Sequence, residues 1–178
     1  MLSLTNIDLV QRARQVRLLV LDVDGVLTDG KLYFLADGSE AKAFSTLDGQ
    51  GIKMLMNSGV NCAIITGRTS SIVENRAKNL GIKHVIQGRE DKSVALDELL
   101  ATLQLSDQQV AYLGDDLPDL APIRRAALGV AVANANPFVR QHAQAVTALR
   151  GGEGAARELC EFIMGAQGTL DAAQNAYL

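Results

Sequence analysis

The sequence predicts an α/β fold: a parallel sheet with helices on both faces and one projecting β-hairpin. Two observations carry this. Short, nearly continuous apolar runs alternate with segments of helical spacing, the pattern of a parallel sheet covered on both sides. Several of the runs also end in Asp, Thr or Gly, the residues that α/β folds place where strands meet their ligands. At 178 residues the chain reads as a single domain, 1–178, with a substantial core.

The elements follow in order. The first strand, from Val16 to Leu21, runs into Asp22-Val23-Asp24-Gly25-Val26-Leu27-Thr28. Further strands are read at 60–65, 84–86, 110–113, 128–132 and 145–147. Helices are read over 48–58, with Ile52, Leu55 and Met56 at helical spacing, and from Ser70 or Ser71 to Leu80, closed by Gly81. Others span 92–103, 118–127 and 154–167, with a frayed piece at 172–177. Ser106-Asp107-Gln108-Gln109 reads as a turn. One segment breaks the alternation: Lys31–Ala36 and Glu40–Phe44 flank Asp37-Gly38, a hairpin signal over 31–44 that projects beside the acidic loop.

Composition removes several function classes. The net charge is −3 with no basic block, Trp is absent and aromatics are 4%, so nucleic acid is not an expected partner. No apolar run reaches the roughly 18 residues of a membrane span, and the N-terminus lacks a signal-peptide pattern, so a cytoplasmic location is the default. Cys62 and Cys160 lie in a strand and a helix and read as buried, unpaired thiols.

Four features fall at strand ends or helix starts: Asp22 and Asp24, Thr66-Gly67-Arg68, Lys92, and Gly114-Asp115-Asp116-Leu117-Pro118-Asp119. Each alone has a bland reading as a turn, a cap or a solvated charge. Together, on one sheet edge, they fit phosphoryl transfer, in which the protein's task is positioning and charge neutralisation. Asp22 is placed as a carboxylate nucleophile. Asp24 is placed as the group that protonates the leaving oxygen and then deprotonates water. Thr66 and Lys92 address the phosphoryl oxygens. Asp115 binds Mg2+, a hard cation that prefers oxygen ligands, and Asp116 and Asp119 orient metal waters and Lys92 from behind.

This set resembles the haloacid-dehalogenase superfamily of phosphohydrolases, whose four motifs match the residues just named. The resemblance implies a Rossmann-like fold and Mg2+ ligated by Asp22, the backbone carbonyl of Asp24, and Asp115. It is closest to small members with no inserted cap domain that dephosphorylate a sugar acid of lipopolysaccharide biosynthesis, with a related nine-carbon sugar-acid phosphate as the alternative substrate. Thr28-Asp29-Gly30, the hairpin, Leu47-Asp48-Gly49-Gln50-Gly51 and the stretch from Arg150 to Glu158 share in it. It also implies homotetramers joined through the hairpins, with a C-terminal tail (151–178) reaching a neighbour's site. The apolar residues Leu32, Tyr33, Phe34 and Leu35 independently favour burial of the hairpin.

A phosphorylated sugar acid carries two anionic groups, so Lys53, Arg68 and Arg76 join Lys92 as expected substrate contacts, with Arg68 best placed and Arg157 expected to reach the substrate of a neighbouring subunit. Ser45, Thr46, Leu47, Asp48 and Gly49, with Asp24 and Gly67, are expected to meet sugar hydroxyls and phosphate. Gly151–Gly154 reads as a flexible connection, which makes the tail removable without loss of the core. A phosphoacceptor signalling domain would place an adjacent acidic pair after the first strand. A non-catalytic subunit would lack Asp22 or Asp24, and a mutase would need a cap.

Overall fold

The computed structural model describes residues 1–178. Six parallel strands form the central sheet in the order β5-β4-β1-β6-β7-β8: β1 (Leu18–Leu21), β4 (Asn61–Ile65), β5 (His84–Ile86), β6 (Val110–Gly114), β7 (Leu128–Ala131) and β8 (Ala145–Val146). Strands β2 (Tyr33–Phe34) and β3 (Glu40–Ala41) pair antiparallel as a separate hairpin. The central strands β1, β6 and β7 are wholly buried, which is why they read as unbroken apolar runs.

The chain leaves β1 towards β4 and β5 on one side, then returns past β1 to β6, β7 and β8 on the other. Crossovers of one hand running in opposite directions put their helices on opposite faces. On one face α2 (Thr46–Asn57) packs on α7 (Ala155–Gln167) and α3 (Ser71–Leu80), with α1 (Ile7–Gln15) also against α7. On the other face α4 (Lys92–Leu103), α5 (Leu120–Arg125) and α6 (Pro137–His142) pack in succession. The last helix, α8 (Leu170–Asn175), lies outside α7. One hydrophobic cluster joins both faces through Leu19, Leu21, Ile64, Leu96, Leu113, Leu128 and Ile163.

The loops after β1 and β6 therefore depart to opposite faces from adjacent strand ends. That divergence opens a crevice beyond the carboxyl ends of the two strands, the place where open α/β sheets bind ligands.

Several boundaries differ from the sequence reading. Helices α1 and α6 were not expected. Their signals are an Asn6 side chain that accepts the Leu9 amide, and Asn136 capping Phe138 with Pro137 in the first turn. The segment read as one helix over 118–127 is a 3-10 turn, Leu117–Asp119, followed by α5. The expected Ser106–Gln109 turn is a 3-10 turn over Asp107–Gln109.

The largest correction concerns the tail. Gly151–Gly154 is no flexible tether. Gly152 donates to the Val26 carbonyl at 2.9 Å and Gly151 to Asn134 Oδ1 at 2.8 Å, and a Cβ on Gly151 would run into the Gly25 carbonyl. Helix α7 then buries Leu159, Ile163 and Met164 in the core. The tail through Gln167 is thus part of its own domain's core, so residues after Arg150 are not, as expected from the sequence, removable without loss of the core.

Candidate active site

Asp22 is the first residue past β1, and its amide still donates to the Leu113 carbonyl at 3.1 Å, so the sheet ladder itself fixes its backbone. The next residues form a tight loop. The Val23 carbonyl accepts the amides of Val26, Leu27 and Thr28, while Val23, Val26 and Leu27 anchor the loop in the core. Gly25 has φ +93°, and a Cβ there would collide with the Asp115 carboxylate. Only glycine lets the two strand ends approach so closely.

Asp115 follows β6. Asp22, Asp115 and Asp119 bring carboxylate oxygens within 4.8 Å of one another. Lys92, at the start of α4, reaches in from the other face with its Nζ 2.9 Å from Asp22 Oδ1 and 2.7 Å from Asp119 Oδ1. Asp119 is fully used. Its Oδ1 also accepts the Tyr112 hydroxyl at 2.8 Å, and its Oδ2 accepts the amides of Asp115 and Asp116 at 3.1 and 3.3 Å. It thus contacts both Lys92 and the amides of the β6 loop. Asp116 is exposed at the rim and accepts from Asn136 at 3.3 Å.

One ammonium, Lys92, is shared by Asp22 and Asp119, and Asp115 adds a third carboxylate with no paired cation of its own. Burial and the Asp119 charge push Asp22 up to about 7, against the pull of Lys92. Burial, then Asp22 and Asp119, push Asp115 up to about 8. A cation at this point would relieve both. Clustered hard oxygen donors with a deficit of positive charge fit Mg2+.

Thr66 is buried at the end of β4, its amide donating to the Ile86 carbonyl at 2.9 Å. With Gly67, Arg68, Asp24 and the acidic cluster it lines a polar cavity of about 650 Å³. This single cavity brings together Asp22, Asp24, Thr66, Gly67, Arg68, Lys92, Asp115, Asp116 and Asp119.

The remaining expected contacts lie elsewhere in the single chain. Asp48, in the first turn of α2, is buried and accepts the Arg157 amide at 2.9 Å and the Gly154 amide at 3.3 Å, capping α7. Its carboxyl is raised by burial, with those amides pulling the other way. Gly49 packs against the Arg76 guanidinium. Arg76 donates to the Ser45 carbonyl at 3.1 Å and lies over the Phe44 ring. Arg157 pairs with Glu161 at 2.7 Å. Ser45 caps α2 by accepting the Leu47 amide, and Thr46, Leu47 and Lys53 are exposed on the outside. In the single chain Asp48, Gly49, Arg76 and Arg157 sit at the junction of α2, α3 and α7, Thr46, Leu47 and Lys53 lie on the surface, and none of them lines the cavity.

Two groups at the site were missed. Tyr112 is fully buried and its hydroxyl orients Asp119, but its position inside an apolar strand hides that role. Lys42 comes from the hairpin and pairs with Asp24 at 2.5 Å and Glu40 at 2.9 Å. Burial pulls the lysine down, yet the two carboxylates outweigh it and raise it overall. The alternation Glu40-Ala41-Lys42-Ala43, charged on one side of a strand and small on the other, was its available signal.

Fold and site together define a hydrolase class, and the comparisons agree: residues 84–159 match the family model of haloacid dehalogenase-like hydrolases, and the chain belongs to that family. Its relatives include a 3-deoxy-D-manno-octulosonate 8-phosphate phosphatase from Yersinia pestis, 50% identical over 93% of this chain and 89% of the relative. The enzyme of the same name from Escherichia coli strain K12 is 46% identical over 94% and 89%. Among solved structures, the Moraxella catarrhalis phosphatase, in complex with magnesium, phosphate and the free sugar acid, superposes with a TM-score of 0.95 at 43% identity, covering 96% of this chain and 98% of that one. A probable phosphatase from Pseudomonas syringae gives 0.94 at 66% identity, covering 96% and 97%.

Proposed function

We infer that this chain hydrolyses 3-deoxy-D-manno-octulosonate 8-phosphate to the free sugar acid and inorganic phosphate, a step of lipopolysaccharide biosynthesis. The observation that carries the chemistry is the Lys92 ammonium shared between Asp22 and Asp119, with Asp115 beside them at the β1–β6 crevice. The named relatives supply the substrate.

A carboxylate oxygen of Asp22 attacks phosphorus, and the bond from phosphorus to the sugar oxygen breaks. Asp24 gives its proton to that oxygen, releasing the sugar acid and leaving a phosphoryl group on Asp22. Asp24 then takes a proton from water as the water oxygen attacks phosphorus, which frees phosphate and restores both carboxyl groups. Lys92 and Thr66 address the phosphoryl oxygens throughout, and Asp119 keeps Lys92 aimed. Asp22, Asp115 and the Asp24 carbonyl would hold Mg2+, which supplies positive charge against the phosphate. Arg68 is 43% exposed at the mouth of the cavity, open to a substrate carboxylate.

Assembly belongs to this reading. Leu32, Tyr33, Phe34 and Leu35 are all exposed on the single chain, and pairing hairpins in a homotetramer would bury them. No helix is long and apolar enough to cross a membrane, and the reading places the enzyme in the cytoplasm.

The test is phosphate release from this substrate, from nine-carbon sugar-acid phosphates and from simple sugar phosphates, with and without Mg2+. The expected result is Mg2+-dependent turnover with the highest kcat/KM on the eight-carbon substrate. Full activity after exhaustive chelation would overturn the metal assignment, and a preference for simple sugar phosphates would overturn the substrate.

A further inference from the structure

We propose that Lys42, delivered by the hairpin, is a positioning residue that holds the Asp24 carboxylate in the orientation required for proton transfer. The proposal rests on the role of Asp24 given above.

The two oxygens of Asp24 are approached from two sides. Lys42 Nζ lies 2.5 Å from Oδ1, and Arg68 Nε lies 3.6 Å from Oδ2. The two cations are not equivalent. Arg68 is 43% exposed and lines the cavity, so an arriving anion can draw it away. The Lys42 side chain is 1% exposed. It cannot reach substrate, and an enclosed ammonium must keep an anionic partner, because breaking a buried pair leaves an uncompensated charge. Glu40 Oε1 lies 2.9 Å from the same ammonium, so the lysine is held between two carboxylates, with its shorter contact to Asp24 Oδ1.

The consequence is mechanical. Asp24 sits one residue before Gly25, whose φ of +93° makes the backbone there a turn with no side chain to brace it. Lys42 supplies that brace from a separate element. Glu40 and Lys42 share one side of strand-like backbone, and Glu40 ties Arg68 at 3.3 Å, so the hairpin holds the proton-transfer group and its neighbour together. The fold needs the hairpin at the site for this reason as well as for any assembly.

The experiment separates orientation from stability by the leaving group. An alkyl sugar oxygen needs a proton as it departs, whereas p-nitrophenolate leaves without one. The parameter kcat/KM reports the steps up to loss of the leaving group. Lys42→Met should lower kcat/KM on the sugar-acid phosphate by about tenfold to a hundredfold, the scale of a misplaced catalytic group. On p-nitrophenyl phosphate it should change little, and the Mg2+ concentration for half-activation should not move. Lys42→Gln, which keeps a hydrogen bond without the charge, should fall between, and serves as the test variant if methionine prevents folding. Asp24→Asn should show the same selectivity more strongly, and the Asp24→Asn/Lys42→Met double variant should lose no more than Asp24→Asn alone. Equal loss on both substrates, no loss, or additive loss in the double variant overturns the positioning role. Absence of leaving-group selectivity in Asp24→Asn overturns instead the acid–base reading beneath it.

Discussion

Asp22 and Asp48 are both buried aspartates, and both are raised by burial, yet they do opposite work. Asp48 is compensated locally. Its oxygens accept amides from the first turn of α7, whose partial positive charge suits a carboxylate. Asp22 is compensated only in part. Its one cation, Lys92, is shared with Asp119, and Asp115 adds a further negative charge. Burial of a charge therefore does not mark function by itself. The mark is burial with a compensation that remains incomplete until a ligand completes it.

The sharpest way to break this contrast is to neutralise each aspartate in turn. Asp22→Asn should remove essentially all turnover, since uncatalysed phosphate-monoester hydrolysis is so slow that enhancements reach about 10²¹-fold. The protein should remain folded, because the change removes like-charge repulsion. Isolation of a phosphoryl group on another residue during turnover would contradict the assignment. Truncation sharpens the Asp48 side. Removing residues after Arg150 deletes α7 and should prevent folding, as Leu159, Ile163 and Met164 would each forfeit about 1.5–3 kcal/mol of burial. Removing only residues after Gly168 should leave a folded phosphatase. A folded, cooperative chain ending at Arg150 would refute the placement of α7 in the core. Asp48→Ala should cost about 1–3 kcal/mol by orphaning buried amides, with kcat per folded molecule unchanged. A large fall in kcat at full stability would return Asp48 to the substrate site.

The same contrast explains what could be read from the sequence. The six parallel strands and the motif residues Asp22, Asp24, Thr66, Lys92 and Asp115 were legible, because buried strands write continuous apolar runs and the chemistry follows directly at their ends. Asp48, Gly49, Arg76 and Arg157, expected at the substrate, sit at the α2–α7 junction of the single chain, and a helix cap and a substrate contact use the same residue types. Which of the two a carboxylate serves depends on the packing of α2 against α7, some 100 positions away in the chain. Lys42 and Tyr112 went unseen for the same reason: their partners, Asp24 and Asp119, meet them only in the folded chain. Helix α1 escaped although its Asn6 cap was legible, because it buries only Leu9 and Ala13 and lies before the first strand, outside the alternation that reveals the other helices.

The smallest effect tests the incomplete compensation itself. In the metal-free protein Asp22 and Asp115 hold their protons up to about 7 and about 8, whereas the unfolded chain releases them near 4. Between about pH 4 and 8 the native state thus binds more protons than the unfolded state, and the slope of unfolding free energy with pH is negative. Metal-free stability from these two groups is greatest at the acid end and is lost as pH rises through the folded values. Mg2+ reverses the trend, since it requires both carboxylates ionised and binds the native state. The Tm of the chelated protein should accordingly fall between pH 5 and pH 8, and the rise in Tm on adding Mg2+ should grow over the same interval. Asp22→Asn should flatten the metal-free slope, while Asp48→Ala should leave the Mg2+ response intact. A metal-free Tm that climbs across this window, or a Mg2+ shift that shrinks with pH, would mean that the cluster is already balanced by its own lysine and that the contrast between the two aspartates fails.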